Sequence, residues 1–223
     1  GYSPELKKQL RQKGTAAPVL EAEVYMPTIN SLVLTDKAIL ASCDKLETET
    51  FTMTVSDHAL VSHLDVTCAT GELNVSKNAQ VTASFDVTSK MYLTASNSAQ
   101  VSVTQNGGNA FISQANSSYI DYKAAVNSIE VEASGSSESH ISGSGSLLKV
   151  TGVGLSRVDA ELIECGDGDV VLSGSAKCHV NVTDHLKVNL VGGSMLTFKR
   201  NPAFEIDRVV NSTLIKADDV KRK

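Results

Sequence analysis

Residues 73–87 read Leu73-Asn-Val-Ser-Lys-Asn-Ala79-Gln-Val-Thr-Ala-Ser-Phe-Asp-Val87. Apolar and polar residues alternate on either side of the break Ser76-Lys77-Asn78. A period of two marks a half-buried strand, and the break is turn chemistry. Twenty residues on, Leu93-Thr-Ala-Ser-Asn-Ser-Ala99-Gln-Val-Ser-Val103 carries the same pattern again.

The pattern extends in both directions. One small residue per repeat anchors it: Ala38, Ala59, Ala79, Ala99, Ser118, Ser137, Ser156, Ala176, Ser194 and Ser212. The spacings run from 21 down to 18 residues. Six residues before each anchor stands an apolar residue without exception, from Leu32 and Met53 to Val188 and Ile206. Two residues after each anchor the column is apolar again, from Leu40 and Val61 to Leu196 and Leu214, and only Ser139 breaks it. Such a period describes stacked turns, each too small to bury its own apolar face. Each turn holds two or three short strands that pair in parallel with the turns above and below. Serine recurs at the corner, at Ser56, Ser76, Ser96, Ser134 and Ser173, which predicts hydroxyls stacked up that edge.

The fold class is therefore all-β. The expected architecture is a single-stranded, right-handed parallel β-helix of nine or ten turns of about 20 residues each; the hand follows the general rule for parallel crossovers. At about 4.8 Å per turn, such a rod is roughly 50 Å long. Residues 29–218 form this domain. Residues 1–28 are a helix and capping segment, and 219–223 a charged tail. Within the first, residues 3–13 suit a helix: Ser3 caps it, Pro4 takes the first position, and Leu6 and Leu10 share a face. The helix at one end and Lys216-Ala-Asp-Asp-Val-Lys-Arg-Lys223 at the other argue against open ends of the stack.

Composition excludes several functions. A net charge of −5 leaves no electrostatic footprint for nucleic acid. No apolar run is long enough to span a bilayer. With 4 % aromatic residues and no Trp, rings for a sugar-stacking groove are scarce. No glycine-rich loop precedes a helix, so a nucleotide cofactor has no support, and no cofactor of any kind is expected. Cys43, Cys68, Cys165 and Cys178 share no column and form no CxxC pair, so neither a zinc knot nor a disulfide framework is expected. Cys178 falls in an inward column and reads as a small buried hydrophobe.

One outward column invites chemistry. Three residues past the anchor stand Asp121, His140, Asp159 and His179 on four consecutive turns. Beside them, one past the anchor, lie Glu138, Arg157 and Lys177. Asp, His and Glu are the residue types for a divalent metal or for acid–base work. The plainer reading is complementary cross-strand pairs on a wet face. A ladder on a flat sheet diverges instead of converging on one point, so the expectation is a polar face with no catalytic residues and no tight metal site. His58 falls in a corner, His63 near a bulge and His185 in a loop; each is expected to be solvated or locally paired.

Ser142-Gly-Ser-Gly145, Gly166-Asp-Gly-Asp-Val170 and Ser173-Gly-Ser-Ala176 resemble the Gly-Ser-Gly-Asp/Asn-Val repeats of the head GIN domain family (DUF2807), bacterial autotransporter adhesins of the Bacteroidetes type. The periodicity of the likeness covers residues 29–218, and its specific motifs lie in about 130–200. In the first half Leu-Asn-Val-Ser-Lys-Asn-Ala-Gln-Val replaces the glycine-rich signature. The resemblance implies a β-helical fold, export to the cell envelope (outer membrane surface or periplasm, with any lipid anchor upstream of Gly1) and an adhesive or surface-structural role. Its implied partners are host or matrix glycans or proteins, and it brings no catalytic residues. Two rivals stand beside it. A self-assembling scaffold of the bactofilin kind would show open, apolar terminal turns. A polysaccharide-acting β-helix enzyme would wall a groove with long loops, which turns of such even length do not provide.

Overall fold

A computed structural model describes residues 21–217. Within them the chain is an all-β parallel solenoid of about ten turns. Sixteen strands form one continuous sheet, and all its pairings are between strands on successive turns. The first apolar column stacks in perfect register, Met53 on Leu73, Leu93, Ile112, Val131, Val150, Val170 and Val188 in turn. The second does the same, from Val61 through Val81, Val101, Ile120, Ser139, Val158 and Cys178 to Leu196. These side chains are buried and line one apolar core. Register is fixed because a slip of one residue would turn both columns to solvent.

The corners change type along the rod. In the first four turns two residues take left-handed backbone, as at Lys77 (φ 54°) and Asn78 (φ 62°). Ala79 N then donates to Ser76 O at 3.2 Å, closing the turn. Asp, Asn and Lys-Asn tolerate this conformation, and Asp57-His58 and Asn97-Ser98 repeat it. From Asn116 onward one left-handed residue suffices, as at Gly135 and Gly174. The anchor becomes Ser118, whose hydroxyl donates to Ala115 O at 3.1 Å. The serine column of the corner is held by main chain more than by hydroxyls. Ser76 N and Ser96 N donate to Val55 O and Val75 O of the preceding turn. Ser134 Oγ donates to Gln114 O, whereas Ser56 Oγ turns to its neighbour Asp57. A serine hydroxyl is too short to compete with a parallel ladder that already satisfies the corner.

Gly143 shows why glycine enters the second half. Its φ is +113°, and a Cβ there would lie 1.9 Å from Ala124 O. It sits beside an irregularity between His140 and Ser142, where the strand passes a longer neighbouring turn.

The helix expected over residues 3–13 and the tail 219–223 lie outside the described residues. No helix occurs among the described residues, so none there crosses a membrane. Residues 21–30 contain neither helix nor strand. The last turn can be described only as far as residue 217. Strand Ala203–Val210 is exposed along its whole length, with Phe204 40 % and Ile206 55 % accessible. Ile206 continues the inward column, but no later turn among the described residues covers it. All four cysteines are free. Burial, followed by the nearby Glu164 carboxylate, pushes the Cys165 thiol up to about 11, and burial pushes Cys178 up as well.

Candidate functional site: a charged outer column and its bulge

Asp121, His140, Asp159 and His179 occupy one outward row of the parallel sheet, each paired in register with the next. The row is flanked by Glu138, Arg157 and Lys177, also in register. His140 is the best connected member. Its Nε2 lies 3.3 Å from Glu138 Oε1, and its Nδ1 lies 3.9 Å from Asp159 Oδ2. Arg157 Nε approaches the same Glu138 oxygen at 3.8 Å. The ring of Tyr119 packs against His140 with centroids 5.6 Å apart. Partial burial, then the carboxylates of Asp121 and Glu138, hold the Tyr119 hydroxyl above its ordinary value. Half-exposed pairs of this kind contribute a few tenths of a kcal/mol each.

The row is not flat throughout. Ala160 pairs with Val180, but the next partners are Cys165 and Val182. Residues 161–164 therefore bulge out against Asn181 alone. Ile163 turns into the core, and Leu162 is left 76 % exposed. The bulge brings Glu161 to Asp159 and His179, so that one ligand atom from each lies within 4.8 Å of the others. Glu161 N donates to Asp159 Oδ1 at 3.2 Å. Lys199 Nζ reaches Glu161 Oε1 at 2.5 Å, and Arg200 lies 3.7 Å from Glu164. Column counting missed Glu161 because it treats every turn as straight. The signal was there: Ser156 and Ala176 are 20 residues apart, between spacings of 19 and 18.

A profile of the family described as "Putative auto-transporter adhesin, head GIN domain" matches residues 55–202. The chain belongs to the head GIN domain family. No curated protein and no solved structure matches it significantly. The match begins in the alanine-anchored turns, well before the Gly-Ser-Gly motifs, and ends just after the final aromatic of the core, Phe198.

Two shallow grooves lie on the described surface of this head GIN domain. One of about 430 Å³ runs between Asp167, His185, Lys187, Phe204 and Glu205. Here His185, expected in a loop, lies instead within the strand Lys177–Val191, where parallel pairing resumes with Asp167 opposite His185. Its Nδ1 lies 3.0 Å from Asp167 Oδ1. Lys187 bridges Glu205 at 2.8 Å and Asp207 at 3.3 Å. The second groove, about 200 Å³, is lined by Tyr92 and Phe111, stacked at 5.1 Å, with Glu130 and Glu132 beyond them. The other histidines are locally settled: His58 sits in a corner with φ 70°, and His63 Nε2 lies 3.0 Å from Asp65.

Proposed function

We propose that this head GIN domain is an adhesive or surface-structural rod of the cell envelope, exported to the outer membrane surface or the periplasm, and non-catalytic. The observation that carries this reading is the regularity of its sides. Outward columns run in register along the turns, hydroxyl-rich around Thr82 and Ser102 and mixed in charge from Asp121 to His179. Both grooves are open and shallow, whereas ligand pockets usually enclose most of their occupant. The family description supports adhesion, and the partners of this reading are host or matrix glycans or proteins. Flat polar faces bind weakly per contact, so useful adhesion comes from many copies together. Beads coated with the protein should be retained on matrix or glycan surfaces that the soluble chain barely binds. Turnover of a polysaccharide by the purified chain would overturn the reading in favour of an enzyme.

One observation favours a second reading. Among the described residues, the exposed strand Ala203–Val210 presents an open parallel edge and an uncovered apolar column. An edge of this kind is a template for another copy, as in a self-assembling scaffold. Sedimentation that grows with concentration, and stops when Ile206→Lys is introduced, would support that scaffold. A concentration-independent monomer would remove it.

A further inference from the structure

We infer that Asp159, Glu161 and His179 form a binding site for a divalent first-row transition metal ion. Asp159 and His179 are register neighbours on successive turns and face outward. By themselves they belong to a ladder whose members stand side by side. The bulge at 161–164 changes that geometry. It returns Glu161 to the same point, so three ligand atoms lie within 4.8 Å of one another, the one such trio among the described residues. Bulges commonly re-aim a side chain in this way.

The ligand set selects the ion. Two carboxylates and one imidazole combine hard oxygen with borderline nitrogen, which suits zinc and its neighbours. Calcium asks for six or more oxygens, which two carboxylates do not supply. Metal–ligand bonds of about 2.0–2.2 Å require the three groups to close in modestly, within the reach of side-chain rotation. The hydrogen bond from Glu161 N to Asp159 Oδ1, at 3.2 Å, fixes the carboxylate that the ion would bind. All three residues are half-buried, so the ion would keep water on its open side.

Lys199 is the counterweight. Its ammonium lies 2.5 Å from Glu161 Oε1, where it balances the charge that a metal would otherwise neutralise. The ion and the ammonium compete for one carboxylate. Affinity is therefore moderate, and it rises when Lys199 is removed. His140, with Nδ1 3.9 Å from the far oxygen of Asp159, borders the site without closing it. The inference does not rest on the adhesive reading: a scaffold or an enzyme would carry the same site.

Isothermal titration of the full chain with zinc chloride, repeated with calcium chloride, tests it. Zinc should bind at one equivalent with micromolar affinity, and calcium should not compete. Glu161→Gln and His179→Ala should each weaken zinc at least about tenfold, with unchanged circular dichroism. Lys199→Met should tighten it several-fold, a gain that misfolding would not produce. His140→Ala should change it less than threefold. Undiminished binding by His179→Ala, loss on Cys43→Ser, equal loss on His140→Ala, or no zinc binding by the wild type would each overturn the site.

Discussion

Inside the apolar bore, the Tyr122 hydroxyl donates to Oε1 of Gln105 on the preceding turn, and both side chains are fully buried. Gln105 Nε2 donates in turn to Gly107 O at 2.8 Å, so the pair ties the core to the corner at Gly107-Gly108. Removing either partner strands a buried polar group, at about 1–3 kcal/mol. Tyr122→Phe and Gln105→Leu should each destabilise by that amount. Chemical denaturation of the double variant should show a coupling energy of about 0.5–3 kcal/mol. Strict additivity would show that the pair does not act as a unit.

The same tyrosine predicts a pH dependence. Burial holds the Tyr122 hydroxyl above the ordinary 10.0. The folded state thus keeps a proton that the unfolded chain releases, and the stability it contributes is complete below pH 10 and lost as pH rises beyond it. Melting temperature should fall above that pH, and the fall should be shallower in Tyr122→Phe. An identical alkaline slope in both proteins would refute the assignment.

Ser139 is the polar exception in an apolar column, between Ile120 and Val158. It is fully buried, and its hydroxyl finds no partner among the described residues. Ser139→Ala should therefore stabilise the protein, by about 0.5–1 kcal/mol. A lower denaturation midpoint for the variant would contradict this.

Gly143 and Gly145 are two residues apart and should respond differently to alanine. At Gly143 the backbone has φ +113° and the added Cβ would meet Ala124 O at 1.9 Å. At Gly145 the nearest atom to that Cβ is Cys165 Sγ, at 3.6 Å. Gly143→Ala should cost more than about 2 kcal/mol, and Gly145→Ala less than about 0.5 kcal/mol. Thermal melts of the two variants decide it.

Val81 and Thr82 test the faces of the sheet. Val81 is 2 % exposed, and Thr82 points outward. Val81→Asp should cost several kcal/mol, because a carboxylate would enter the core. Thr82→Asp should be mild. Equal losses in urea titrations would mean that the faces are reversed.

The stacking was legible because a solenoid repeats one physical problem at every turn. Leu73, Leu93 and Val131 solve it alike, and so do Val81, Val101 and Val158. Their columns could be aligned by counting, and the Asp121–His179 row was placed by the same count. The motif Ser142-Gly-Ser-Gly145 already pointed to the family. The serine corner was read less well, because hydroxyl stacking and main-chain pairing leave the same trace in the sequence.

By itself the sequence determined the all-β class, the parallel register, the inward columns and the outward row. Each depends on a local period that burial enforces at every repeat. Tertiary structure alone decided what happens where the period fails. The bulge at 161–164 folds Glu161 back onto Asp159 and His179, Lys199 arrives two turns later to balance it, and no turn among the described residues covers strand Ala203–Val210. Counting along the chain assigns a residue to a face. Convergence of three side chains, or the absence of a covering turn, depends on how unequal turns settle against one another in space.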